Sequence, residues 1–100
     1  MKLVKAIVRT TALENIVKAL ENVGVHGMSI SEVKGVGEEV QLFNRYSVHN
    51  MIEIIVHAED VDRVVNAVLE AGHTGLEGDG MIAVCPLDYL IHIRTREKID

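Results

Sequence analysis

The stretch Lys2–Val8 has the alternation of a strand, and two mostly apolar stretches of strand length follow along the chain, Met51–Val56 and Met81–Cys85. Alternation places every second side chain on the same face of an extended backbone, so each stretch predicts a strand with a buried face. A further extended stretch runs from Gly27 to about Gly37. The pattern therefore predicts four main strands.

Between these strands, apolar residues recur twice at the spacing of a helix. Thr11 followed by Glu14 is typical of a capping box, and Gly24 ends the first stretch. Asp60 is predicted to cap the second stretch, which Gly72 ends. The apolar stripes consist of Leu13, Ile16, Val17, Leu20 and Val23 in the first helix and Val61, Val64, Val65 and Val68 in the second.

The order of these elements is two βαβ units. Two such units pack into one antiparallel sheet with both helices on the same face, which is the ferredoxin-like α+β arrangement. Pro86 ends the fourth strand, and Tyr89–Thr95 alternates again. This alternation predicts an extra C-terminal strand whose cationic face carries His92, Arg94 and Arg96. The other face of the sheet is left open, so self-association is expected.

Composition narrows the class of protein. The 100 residues are 48% hydrophobic and 25% charged, which predicts one folded domain spanning residues 1–100. A net charge of −5 argues against a broad nucleic-acid-binding surface. The lone Cys85 cannot form an internal disulfide, and no long apolar run predicts membrane insertion. A cytoplasmic location is expected.

A glycine-rich loop, "HTGLEGDGM" at residues 73–81, precedes the fourth strand. Glycines allow backbone conformations in which N–H groups turn toward an anion, so a phosphate-binding role is one interpretation. The other is a turn that only connects a helix to a strand. Short glycine motifs do not decide between the two.

Four segments, in this order and at these separations, resemble the PII signalling protein family: "GMSISEVKGVG" (27–37), "IEIIV" (52–56), "TGLEGDGMIAV" (74–84) and "IHIRT" (91–95). The resemblance covers nearly the whole chain. It implies a homotrimer that binds adenine nucleotides in clefts between subunits and controls a partner, such as a membrane transporter or a metabolic enzyme of nitrogen metabolism. Residues 38–50 then correspond to a shortened partner-docking loop, and the nucleotide, with or without magnesium, is a regulatory ligand rather than a resident cofactor.

The resemblance also assigns site residues. Around the adenosine it implies Ile7, Gly27, Met28, Ser29, Gly35 and Glu53; along the phosphates it implies Gly37, Thr74, Gly78, Asp79, Gly80, Met81, His92 and Arg94. In the docking loop it implies Glu38, Glu39, Arg45, Tyr46 and His49. No catalytic residue and no metal site are predicted.

Departures from the family pattern change the expected ligands. Leu76 and Met81 stand where the family usually has lysine, and His92 where it has arginine, so ADP or AMP is expected to compete effectively with ATP. Glu39 and His49 stand at or near the positions that bind 2-oxoglutarate in the family. An added carboxylate repels this dianion, so 2-oxoglutarate sensing is not expected. The shortened loop also argues against uridylylation.

Other functions stay open at this point. A PII-like sensor of a metal ion or small anion fits the missing lysines and the acidic loop with its histidine. A slow nucleotide hydrolase would have to rely on Glu38, Glu39 and histidines, without a nucleophile and base pair, so a non-enzymatic regulator is favoured. A purely structural oligomer is also compatible with the fold.

Overall fold

A computed structural model describes residues 1–35 and 47–99 of the chain. Strands β1 (Lys2–Arg9), β2 (Ser29–Gly35), β3 (Ser47–Val56) and β4 (Gly80–Pro86) form one sheet in the order β2-β3-β1-β4, and every pair of neighbours is antiparallel. Helix α1 (Leu13–Asn22) links β1 to β2, and α2 (Val61–Gly72) links β3 to β4. Two short strands, β5 (Leu90–Ile91) and β6 (Lys98–Ile99), pair separately.

The core lies between the helices and one face of the sheet. The alternating residues of β1 and β3 bury their apolar side chains on the same face, and the helical stripes cover them. This arrangement confirms the ferredoxin-like α+β fold. The largest fully buried side chains are Val4, Ile16, Leu20, Ile52, Ile54 and Val64. On the opposite face, Ile55 and Met81 remain about half exposed.

Both helices begin differently from the prediction. A 3₁₀ turn at Thr10–Ala12 precedes α1, and the Leu13 N–H donates to the Thr10 carbonyl, so Thr11 does not cap the helix with its side chain. Asp60 does occupy the N-cap of α2, but its carboxylate pairs with Arg63 at 3.0 Å instead of capping the backbone. Backbone carbonyls thus take the role that side chains were expected to play.

The other differences concern strand ends. Strand β3 begins at Ser47, four residues before the predicted start, so the excursion predicted to end at residue 50 ends earlier. The predicted extra C-terminal strand is present but covers only Leu90–Ile91, so its predicted extent of Tyr89–Thr95 is wrong. The chain turns after Ile91, since the Arg96 N–H donates to the His92 carbonyl at 2.8 Å. His92, Arg94 and Arg96 therefore lie outside the strand and form no strand face.

Within the described residues, neither helix is long and apolar enough to cross a membrane.

Candidate functional site

The loop between α2 and β4, residues 73–79, is organised around one carboxylate, and we call it the glycine loop. Asp79 accepts hydrogen bonds from the Thr74 hydroxyl, from the N–H groups of Thr74 (2.8 Å) and Gly75 (2.9 Å), and from Arg9 Nε (3.1 Å). The Thr74 hydroxyl and then the Thr74 N–H are the main causes that hold the pKa of Asp79 well below its usual range. The carboxylate is therefore ionised at neutral pH and ties the two ends of the loop together.

Two side chains from the sheet hold the glycine loop from beneath. Arg9, at the end of β1, also donates from Nη2 to the Glu77 carbonyl. His49, its register partner on β3, lies 3.1 Å through Nε2 from the Gly78 carbonyl. A carbonyl only accepts, so this histidine nitrogen carries the hydrogen. Arg9 and His49, the anchor pair, thus bind three consecutive loop residues.

Glycine is required at several points of this loop and at the first residue of β4. Gly75, Gly78 and Gly80 have φ angles of 85°, 92° and 106°, a region that side chains disfavour. At Gly80 the backbone of β4 also passes so close to β1 that an added Cβ would lie 1.7 Å from the Ile7 carbonyl oxygen. The glycines therefore serve a defined loop conformation that is packed onto the sheet.

A cleft of about 450 Å³ opens beside the glycine loop, between the C-terminal end of α2 and strands β1 and β4. Its walls are mostly apolar, and Leu76 and Met81 are 69% and 49% exposed. Four of the predicted site residues line it: Ile7, Asp79, Gly80 and Met81. The cleft can bind the apolar part of a ligand next to a loop whose backbone N–H and C=O groups are held in fixed directions.

The remaining adenosine residues lie on strands β2 and β3 or just before β2, outside the cleft. Ser29 and Gly35 are on β2 and Glu53 is on β3, with Glu53 3.9 Å from Lys5 Nζ. Because β2 and β4 are the two edges, three strand spacings or about 14 Å separate them. Gly27 lines a separate small hollow, and Met28 packs against the core. One chain by itself therefore does not gather the predicted nucleotide residues into one pocket.

The other predicted residues fall into three groups. Thr74 and Gly78 belong to the glycine loop, whereas His92 and Arg94 lie exposed between β5 and β6. His49, predicted for the docking loop, instead lies buried in β3 with 4% of its surface exposed. Outside the described residues are Gly37, Glu38, Glu39, Arg45 and Tyr46.

Sequence reasoning missed Arg9. A basic residue at a strand end has no local signal, and its partner Asp79 is 70 residues away. Residues 1–35 and 47–99 contain no cluster of three histidine, cysteine or acidic side chains arranged to hold a metal ion.

Comparison with known proteins shows which protein family the chain resembles. A family model described as nitrogen regulatory protein P-II matches residues 1–97. Nitrogen regulatory protein P-II 2 of Methanothermobacter thermautotrophicus is 38% identical over 98% of this chain and 93% of its own length. Nitrogen regulatory protein P-II of Nostoc punctiforme is 39% identical and that of Synechocystis sp. 40% identical, each over 98% of this chain and 96% of the relative.

Proposed function

We propose, since the chain belongs to the nitrogen regulatory protein P-II family, that it is a trimeric regulator controlled by adenine nucleotides. Proteins of this family are signalling regulators and not enzymes, and that assignment holds for this chain. The finer proposal is that ADP, AMP or ATP binds between subunits and changes the chain's affinity for a partner protein. A membrane transporter or a metabolic enzyme is the proposed partner.

The conformation of the glycine loop carries this proposal. A turn that only joined α2 to β4 would need neither three glycines with positive φ nor an internal carboxylate with four donors. A loop fixed in this way presents its remaining backbone polarity without reorganisation, which favours phosphate binding. The adjacent apolar cleft suits the nucleoside part of the same ligand.

The split of the predicted site between two sheet edges supports a site shared by copies. Residues near β2 and β3 of one copy would face the glycine loop of another, and the exposed Arg94 would approach a phosphate from a neighbouring copy. The half-exposed Ile55 and Met81 on the open face favour such an assembly. P-II proteins form trimers that bind partner proteins, which fits this arrangement.

Charge supports a preference for fewer phosphates. Residues 73–81 contain Glu77 and Asp79 but no lysine or arginine, and Arg9 is engaged with the loop itself. Each additional phosphate adds negative charge that this loop does not neutralise. ADP and AMP are therefore proposed to compete effectively with ATP, without a requirement for 2-oxoglutarate.

Isothermal titration tests the proposal, with ATP, ADP and AMP added in turn, with and without magnesium and 2-oxoglutarate. We expect saturable ADP binding that Arg94→Ala weakens about tenfold, the effect of losing one charge-assisted hydrogen bond. Arg63→Ala is the matched control, because Arg63 pairs with Asp60 at the start of α2. Absence of heat with all three nucleotides would refute the nucleotide response.

Sedimentation equilibrium tests the assembly separately. The expected mass is three times the 11.0 kDa of the chain. A monomer at micromolar concentration would remove the shared site, even if a nucleotide bound weakly.

A further inference from the structure

The anchor pair makes more contacts with the glycine loop than are needed to stabilise a turn. Arg9 is engaged by both the Asp79 carboxylate and the Glu77 carbonyl, with 19% of its side chain exposed. The buried His49 also contacts the glycine loop. Its Nε2 contacts the Gly78 carbonyl, while its Nδ1 is buried with no partner among the described residues. Two polar side chains, one from each of two neighbouring strands, thus orient residues 77–79.

The consequence for the backbone follows from peptide geometry. In a trans peptide the C=O and N–H groups point in opposite directions. Because Arg9 draws the Glu77 carbonyl toward the sheet, the Gly78 N–H of the same peptide points away from Arg9. The φ of 92° at Gly78 is what a turn with this flipped central peptide needs.

Three other N–H groups of the loop are used internally. Those of Thr74 and Gly75 donate to Asp79, and that of Leu76 donates to the Thr74 hydroxyl oxygen. Arg9 therefore sets the direction of the Gly78 N–H, and His49 sets the orientation of the next peptide through the Gly78 carbonyl.

We propose that Arg9 and His49 are positioning residues for phosphate binding: Arg9 fixes the 77–78 peptide so that the Gly78 N–H faces a phosphate of the bound nucleotide, and His49 holds the adjoining 78–79 peptide through the Gly78 carbonyl. The inference rests on the proposed nucleotide function and adds a mechanism to it. Arg9 supplies direction and not contact, since its guanidinium is already bound to Glu77 and Asp79. A nucleoside without phosphate does not use this donor, so the anchor pair discriminates between nucleotide and nucleoside.

A purely structural anchor predicts a different pattern. In that case loss of Arg9 would lower the melting temperature and weaken ADP and adenosine to the same degree, or weaken neither. The ratio of the two affinities is therefore the deciding quantity, because a general loss of stability does not change it.

The experiment measures ADP and adenosine binding by titration calorimetry, together with the Gly78 amide signal in ¹⁵N-labelled trimer. The variants are Arg9→Met and His49→Leu, which remove the contacts, and His49→Gln, whose amide can still donate to the Gly78 carbonyl. Arg63→Met is the matched control, since it removes an arginine whose partner is Asp60.

For wild type, we expect ADP and not adenosine to shift the Gly78 amide downfield. Arg9→Met should weaken ADP about ten- to hundredfold relative to adenosine and abolish this shift. His49→Leu should act in the same direction, His49→Gln should restore most of the affinity, and Arg63→Met should match wild type. If Arg9→Met does not fold, Arg9→Lys, which keeps one of the two contacts, should show the same selective loss in smaller size.

The outcomes separate the two proposals. Wild type that binds none of ADP, AMP and ATP refutes the nucleotide function itself. Wild type that binds ADP, with an unchanged ADP to adenosine ratio in Arg9→Met or Arg9→Lys, refutes the positioning role alone.

Discussion

Replacing Gly80 by alanine tests the closest approach in the fold. Gly80 is the first residue of β4 and pairs with Val8 of β1. The new Cβ would lie 1.7 Å from the Ile7 carbonyl oxygen, so the strand would have to move by more than an ångström to reach a distance that real Cβ atoms tolerate. The φ of 106° is an additional strain for any residue with a side chain.

The magnitude follows from these two costs. A strained backbone angle costs about 1–3 kcal/mol, and displacement of the strand weakens a β1–β4 hydrogen bond worth about 1 kcal/mol. Gly80→Ala should therefore lower the free energy of unfolding by about 3 kcal/mol. For a domain of this size that corresponds to a fall in Tm of about 12–24 °C.

The assay is thermal and urea unfolding at one fixed protein concentration, since assembly makes stability depend on concentration. Gly27→Ala is the matched control, because its Cβ would meet no atom within 4 Å. We expect the control to melt within about 4 °C of wild type. Equal Tm values for Gly80→Ala and Gly27→Ala would refute the reasoning and show that β4 can separate from Ile7 at no cost.

Three further predictions concern the carboxylate, the core and the charge of the site. Asp79→Asn should destabilise the chain at pH 7. Because the pKa of Asp79 is lowered in the folded state, the stabilisation by its carboxylate is present above the unfolded-state pKa of about 3.9 and is lost as the pH falls through the folded-state pKa. The difference in urea midpoint between wild type and Asp79→Asn should therefore shrink below about pH 4. Leu20→Ala, at a fully buried position, should cost about 3 kcal/mol in urea unfolding, whereas Leu69→Ala, at a position 51% exposed, should cost less than about 1 kcal/mol; equal losses would contradict the assignment of the core. Leu76→Lys and Met81→Lys should each strengthen ATP several-fold more than AMP in calorimetry at low salt, and an unchanged ATP to AMP ratio would place the phosphates elsewhere.

Periodicity predicted the architecture because burial of one face imposes it. Val4, Ala6 and Val8 all point toward Ile16 and Leu20, and a shift of the strand register by one residue would expose them. The same pattern failed over residues 89–95. Alternation there is not matched by a long partner strand, since the pairing extends over only two residues on each side before the turn. A strand forms only where it pairs with another strand, and the local pattern of apolar and polar residues does not show how long that partner is.

The sequence predicted which segment forms the candidate site, but not the contacts that hold this segment in place. Glycines and a threonine around Asp79 made an unusual loop one interpretation of the sequence, and the structure has positive φ angles at Gly75, Gly78 and Gly80 and a hydrogen bond from Thr74 to Asp79. The contacts that hold this loop join residues 70 and 29 positions apart, Arg9 to Asp79 and His49 to Gly78. Local sequence carries no record of such pairs, so Arg9 was not predicted and His49 was assigned to a loop instead of a buried strand.

The pairing of Gly35 with Ser47 has a consequence for how this chain can diversify. These two residues are register partners at the ends of β2 and β3, so the segment 36–46 is inserted between points that the sheet already holds together. Lengthening such an insertion from 11 to 20 residues adds only about 0.5 kcal/mol of closure entropy. A change of length between Gly35 and Ser47 is therefore expected to leave the stability of the rest of the domain nearly unchanged.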